Sequence, residues 1–504
     1  MQIEHEQDIE LLRQKAMLLE KENEHLHRRL VLLTEELAGL KGQDSGRLQL
    51  EIALLQQTLA RRNQALFGDS SEKRPHPEPE ATAPAAPAPR RGHGPKVQPR
   101  LPIVPAVYEL PEDGRQCPVC EGQLTEMVGQ FEESNEISVV ERHFVVVRQQ
   151  RKKYRCRCNA AVVTAPGPPK LQPAGHYSPE FAVEVAVAKY ADHLPLERQR
   201  RIMEREGLEV DSQTLWDQLE VLAQHVEPSY RALPSRILSS SLVHADETYW
   251  RMMGKEKGNA RWWVWAIESQ DAIFYRILDS RSKESAKAVL DGYNGTVMAD
   301  GYGAYEALRK DGARFTLVHC WAHVRRKFVE AEPFFRTECA QVLDLIGQLY
   351  GIERQVPRAG PGESAAEVEE SDLLRARLRR EQSRPIIDQI RAWAYDVPHL
   401  PRSTLGQAVR YMLELWPGLV AFLEDPRIPL DNNAVERGLR GVVLGRKNHY
   451  GSRSLRGTEV AAIFYSLIET AKLRGVNPRS YLLQAVRAAI AQPAAVTLPD
   501  PRQT

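Results

Sequence analysis

The chain has 504 residues, 42% of them apolar and 27% charged, with a formal net charge of +1. That is long enough for several folded domains, and so even a charge balance says nothing about partners, whereas local patches can. No apolar run approaches the ~18 residues of a membrane span, and the acidic opening "MQIEHEQDIE" does not read as a signal peptide.

In chain order, apolar residues fall at Ile9, Leu12, Ala16, Leu19, Leu26, Leu30, Leu33, Leu37 and Leu40, with Leu at every d position of a heptad and Asn23 at an a position. This predicts a coiled coil, with the buried amide favouring a parallel dimer in one register. Residues 1–66 are therefore expected to form dimerisation helices, the second starting at Leu48. The Pro- and Ala-rich stretch 67–107 reads as an extended linker. Cys117-Pro-Val-Cys120 and Cys156-Arg-Cys158 follow, with 35 residues between them, around the β-rich "ISVVERHFVVVRQQRKKYRC". Two cysteine pairs on turns beside strands suit a tetrahedral Zn²⁺ site in a small module, 108–165, although C-x-C strains the usual geometry. Four of the six cysteines in close pairs fit a metal site better than a disulfide framework.

Within a region at 166–233, residues 176–225 read as helical, with Gly207 in a short turn and Asp211 or Ser212 capping the next helix. That order matches a helix-turn-helix, with Gln213 and Thr214 on the polar face of the recognition helix. Local basic runs such as "RQQRKKYRCR", "LERQRRIMER" and "HVRRKF" are the electrostatic mark of nucleic-acid contact.

From about residue 240 the period changes to that of strands. "SSLVHADETYW", "RWWVWAIES" and "AIFYRILDS" predict an antiparallel meander, followed by a helix, a strand ending at Asp300, and a strand running into the basic helix of "HCWAHVRRKF". The order resembles a ribonuclease-H-like α/β core, with a first part at 234–328, a helical insertion at 329–428, a closing helix at 429–475 and a C-terminal element at 476–504. The first strand is expected to end at Asp246. Asp246 and Asp300 would then sit at the sheet rim, where oxygen ligands hold hard cations. Glu436 stands alone in the basic run of Arg437, Arg440, Arg446 and Lys447. Three such carboxylates can hold two Mg²⁺ ions, with Mn²⁺ able to substitute, for in-line phosphoryl displacement, while the arginines and lysine, with Arg325 and Arg326, grip the DNA backbone. Cys320 and His323, spaced C-x-x-H, could be half of a second metal site, but no second half is legible in the sequence and the pair reads rather as buried structural residues.

The motifs "HADETYW", "MADGYGAYEAL", "LDNNAVERGLRGVVLGRKNHYGS" and "FYSLIETAKLRGVNPRSYL" resemble transposases of the insertion-sequence 66 family, of the DDE class. "LFGDSSEK", the cysteine pairs and "KYADHLPLERQRRIMEREGLEVDSQTL" resemble its N-terminal half. The resemblance implies Asp246, Asp300 and Glu436 as the acidic triad, a zinc-finger-like DNA-binding module, a helical insertion, companion proteins of the same element, and a cytoplasmic, nucleoid-associated place in a bacterium. The expected whole is a multidomain α+β protein. A DNA-binding regulator with an inactive ribonuclease-H-like domain, or a nuclease acting on junctions or RNA hybrids, remains as an alternative.

Overall fold

The structure, a computed structural model, describes residues 143–155, 162–173, 175–253, 261–356 and 364–500, with isolated positions at 25, 28, 29, 32, 33 and 55. The expected coiled coil and linker, and Cys117, Cys120, Cys156 and Cys158, lie outside the described residues, those isolated positions apart. The chain divides into two compact units, and every element below belongs to the one comprising Met1–Glu72 and Phe144–Thr504.

A short antiparallel pair, β1 (Lys153–Arg155) and β2 (Val162–Thr164), precedes three helices: α1 (Pro179–Tyr190), α2 (Leu196–Arg205) and α3 (Ser212–Leu238). The turn between α2 and α3 follows the sequence. Gly207 takes φ +84°, and the Asp211 carboxylate caps α3 by accepting the Thr214 N–H at 2.6 Å. α3 runs through Pro228 and Pro234, each of which removes a backbone donor. Burial outweighs that cost, because Leu215, Leu219, Leu222, Val226, Leu233 and Ile237 all face the core.

The centre is a mixed α+β layer. Strands β3 (Leu242–Arg251), β4 (Arg261–Glu268), β5 (Ile273–Leu278), β6 (Thr296–Ala299) and β7 (Thr316–His319) form one sheet in the order β5-β4-β3-β6-β7. β3, β4 and β5 are antiparallel, whereas β3, β6 and β7 run parallel. Helix α4 (Lys283–Leu290) connects β5 to β6 and α5 (Gly303–Lys310) connects β6 to β7.

After β7 come α6 (Trp321–Ala331), α7 (Arg336–Glu353), α8 (Ala365–Leu378), a π turn (Arg379–Ser383), α9 (Arg384–Asp396), α10 (Thr404–Glu414) and α11 (Trp416–Val420). They gather a second apolar core, with Trp321, Phe328, Leu349, Ile390 and Met412. The fully buried Arg379 organises its far side, pairing with Glu353 and donating to the carbonyls of Phe422, Asp425 and Ile428. The chain then returns to the sheet through α12 (Asn433–His449), α13 (Leu455–Leu473) and α14 (Pro478–Ala491).

α13 is buried over most of its circumference and covers the free edge of β5. Ser466 Oγ accepts the Tyr275 N–H at 2.8 Å, and Thr470 Oγ1 accepts that of Ile273 at 3.1 Å. Edge-strand donors that could recruit another chain are thereby spent internally.

Candidate active site

β3 does not end at Asp246, as the sequence pattern predicts. It runs on to Arg251, paired with β4 from His244 to Arg251, while its pairing with β6 stops at His244. Asp246 therefore lies in mid-strand on one side and just past the rim on the other. The β3–β6 register keeps a constant offset of 54 (296 − 242), and the same offset separates Asp246 from Asp300 (300 − 246). The β6–β7 offset of 20 (316 − 296) likewise sets Cys320 abreast of Asp300 (320 − 300). Carried two residues past its last pair, this register brings Asp246 and Asp300 to neighbouring carboxyl ends of the parallel strands, near enough for the Asp300 charge to act on Asp246. This is also where the chain switches from one side of β3 to the other, the usual place for a ligand in such sheets.

Each aspartate is held locally. Asp246 Oδ1 accepts its neighbour Glu247 N–H at 2.8 Å, and Asp300 Oδ1 accepts the Tyr302 N–H at 2.9 Å. Burial foremost, then the negative charges of Glu247, Asp300 and Glu436, pushes the Asp246 carboxyl up to about 8. The adjacent acid has another fate, because successive strand residues face opposite sides. Glu247 is buried and receives the Arg281 guanidinium and, at 2.8 Å, the Tyr305 hydroxyl. Arg281 in turn stacks 3.8 Å from the Tyr302 ring centre. Sequence reasoning misses this network; the consecutive acids of "ADET" are its only signal.

Glu436 arrives on the first turn of α12, where the helix N-terminus favours negative charge. Three tethers lash α12 along β3. At its start, the fully buried Asn432 donates Nδ2–H to the Ala245 carbonyl at 2.9 Å, pairs Oδ1 with His244 Nδ1 at 2.9 Å, and donates its backbone N–H to Cys320 Sγ at 3.2 Å. Asp431 accepts the Asn433 N–H at 3.2 Å in a turn, and Asn432 occupies the cap position of α12. Near its end, the Arg446 guanidinium donates to the Tyr249 carbonyl. Beyond it, Gly451, at φ +98°, lets Ser452 exchange backbone hydrogen bonds with Arg251 and Met253. A Cβ at Gly451 would lie 2.0 Å from the Arg251 carbonyl oxygen, and one at Gly445 would lie 1.8 Å from the Tyr465 hydroxyl. Glycine inside a helix costs about 1 kcal/mol relative to alanine, and at Gly445 that cost permits close approach to α13.

The basic side chains separate into two groups. Arg437, Arg440 and Lys447 are exposed. Arg325 and Arg326 on α6 are half-buried, and Arg446 is turned inward to β3. Gln213 is exposed and bonds Asp217 at 2.8 Å; Thr214 sits in the first turn of α3. Tyr305 and Trp321 are core residues. Cys320, at the cap position of α6, is buried, and burial pushes its thiol up to about 12.

Residues 174–460 match the family described as Transposase IS66 family. The chain belongs to that family. Three proteins of Sinorhizobium fredii (strain NBRC 101917 / NGR234), all described as uncharacterized, are similar along most of their length. Protein y4jD is 31% identical over 412 residues, 78% of this chain and 77% of the relative. Protein y4qI is 30% identical over 397 residues, 75% and 70% respectively. Protein y4hP is 28% identical over 393 residues, 73% and 69%. The matched segment of this IS66-family chain takes in β3 and β6, the helical insertion and the whole of α12. Among its described residues no helix is long and apolar enough to cross a membrane.

Proposed function

We propose that this IS66-family chain is a DDE transposase that binds the ends of an insertion sequence and performs metal-dependent strand cleavage and strand transfer. What supports the ribonuclease-H-like reading is the chain order of the central layer, three strands, a helix, a strand, a helix and a strand, which is the order read from the sequence. The observation that carries the reading is the shared register of Asp246 and Asp300, with Glu436 close enough to act on the Asp246 charge.

Three oxygen donors that repel one another, one of them driven towards protonation, fit divalent cations. Two Mg²⁺ ions, with Mn²⁺ able to substitute, would stabilise the attacking and leaving oxygens of an in-line displacement. Asp246, Asp300 and Glu436 would hold them. The exposed Arg437, Arg440 and Lys447, with Arg325 and Arg326, line the DNA backbone and offset the repulsion between phosphates and carboxylates. Gln213 and Thr214 at the start of α3 contact the element end, helped by a zinc-finger-like module at Cys117, Cys120, Cys156 and Cys158. The N-terminal coil joins protomers into a dimer or higher assembly, and companion proteins of the element complete the machinery at the nucleoid. Water cleaves the phosphodiester at the element end, and the freed 3′ hydroxyl attacks target DNA.

The test is cleavage of a duplex carrying the element end in Mg²⁺. Asp246→Asn, Asp300→Asn and Glu436→Gln are each expected to lower it by about a thousandfold or more, as the loss of several kcal/mol of charge stabilisation implies, while end binding persists. Cleavage surviving all three changes would remove the site. End binding by the wild-type chain without nicking would favour the regulator instead.

A further inference from the structure

We infer that Cys320, His323 and Glu436 form a zinc site adjoining the proposed magnesium centre and sharing Glu436 with it. Only the sharing rests on the transposase reading; the zinc site stands on its own geometry.

Cys320 occupies the cap position of α6 and His323 lies one turn along, so both face the same side. The first turn of α12 brings Glu436 against them, and one ligand atom from each of the three lies within 4.8 Å of the others. His323 Nδ1 and Glu436 Oε1 are 3.7 Å apart, too far for a hydrogen bond. Both atoms are buried without another hydrogen-bond partner. Buried polar atoms are nearly always satisfied, so two orphans facing each other call for a cation between them. Two metal–ligand bonds of about 2.1 Å bridge such a gap at an angle of about 125°, wider than the tetrahedral value by about 15°. A small movement of the Cys320 side chain then brings Sγ to its ~2.3 Å bond length, and water takes the fourth position. The Asn432 N–H already donated to Sγ supports the thiolate that zinc requires.

The donor set selects the metal. Thiolate with imidazole favours zinc over magnesium, which prefers oxygen throughout. With zinc bound, Glu436 Oε1 is occupied, and zinc therefore lowers Mg²⁺-dependent cleavage.

The full-length chain, stripped by chelator and reloaded with Zn²⁺, is compared with Cys320→Ser and His323→Gln. Cysteines 117, 120, 156 and 158 can retain zinc of their own, so the reading is the difference between proteins. Each variant is expected to hold about one zinc fewer per chain than the wild type. Loading with Co²⁺ should give a thiolate–cobalt absorption that weakens in Cys320→Ser. If the buried Cys320→Ser fails to fold, the half-buried His323→Gln decides alone. Equal zinc content in the wild type and the folded variants overturns the site. Micromolar Zn²⁺ should inhibit wild-type cleavage more than that of Cys320→Ser, and equal inhibition overturns the sharing of Glu436. For a chain that never cleaves DNA the zinc content alone decides, so the two readings fail separately.

Discussion

Asp300 and Glu436 reach the same corner of the molecule by different means. Asp300 follows directly on β6, and its place beside Asp246 is dictated by backbone pairing that no single side chain controls. Glu436 is carried by a helix that starts more than a hundred residues after the end of β7, and side-chain tethers and glycine contacts fix where that helix lies. The sheet half of the site should therefore tolerate surrounding substitutions, whereas the helix half should be displaced by single changes far from the carboxylate.

The largest expected effect is at the glycines that let α12 and its exit approach their neighbours. Gly451→Ala combines a left-handed backbone with a Cβ 2.0 Å from a carbonyl oxygen that cannot move aside, and should cost about 2–5 kcal/mol. Gly445→Ala meets the tip of Tyr465 and should cost about 1–3 kcal/mol, recoverable in part by Tyr465→Phe. Denaturant unfolding measures both. Losses below about 0.5 kcal/mol would mean that α12 is free to shift.

Next comes Asn432→Ala, which strips the tether at the head of α12 and leaves its partners at His244 and Ala245 without it. The expected loss is about 1–3 kcal/mol of stability, and cleavage should fall about a hundredfold through misplacement of Glu436, with DNA binding retained. Full cleavage in a destabilised variant would show that the tether serves the fold alone.

A smaller effect concerns pH. A carboxyl raised in the folded state, as Asp246 is, makes its contribution in full below the unfolded value of 3.8 and loses it as pH climbs through about 8. Glu268, raised to about 7 by burial, acts in the same direction. The chelator-treated protein should melt at progressively lower temperature from pH 5 to 8.5, and Mg²⁺ should restore more stability at the upper end. Asp246→Asn should flatten that slope in part. A melting temperature that rises over the same interval would contradict the crowding of acids on the sheet side.

The same contrast explains what the sequence discloses. Strand alternation and apolar runs make β3 to β7 legible, because pairing partners lie close along the chain and period-two patterns mark them. β3 reads as ending at Asp246 because the residues beyond it, "ETYWR", pair only with β4, and a strand half-edged in this way carries no local stop signal. Asn432 and Gly445 are invisible as clamps, since their partners are 187 and 20 residues away and an asparagine beside a helix start reads as a cap. The C-x-x-H pair lacks its third member in the sequence for the same reason: Glu436 meets it only after the insertion closes. α3 defeats a rule of thumb, its two prolines reading as helix ends while buried leucines carry it through.

The smallest effect separates the basic residues of α12 themselves. Arg440 is exposed, while Arg446 is half-buried and donates to the Tyr249 carbonyl. Arg440→Ala should leave stability within about 0.5 kcal/mol and reduce by about one the slope of log affinity against log salt, the signature of one lost phosphate contact. Arg446→Met should do the reverse, loosening the far end of α12 by about 1–3 kcal/mol with no change in salt slope, because a guanidinium committed to a backbone carbonyl releases no counterions on DNA binding. If both variants lower the slope equally, Arg446 swings outward on the DNA. The tether it makes in the free protein would then be a resting position rather than a fixed part of the cradle that holds Glu436.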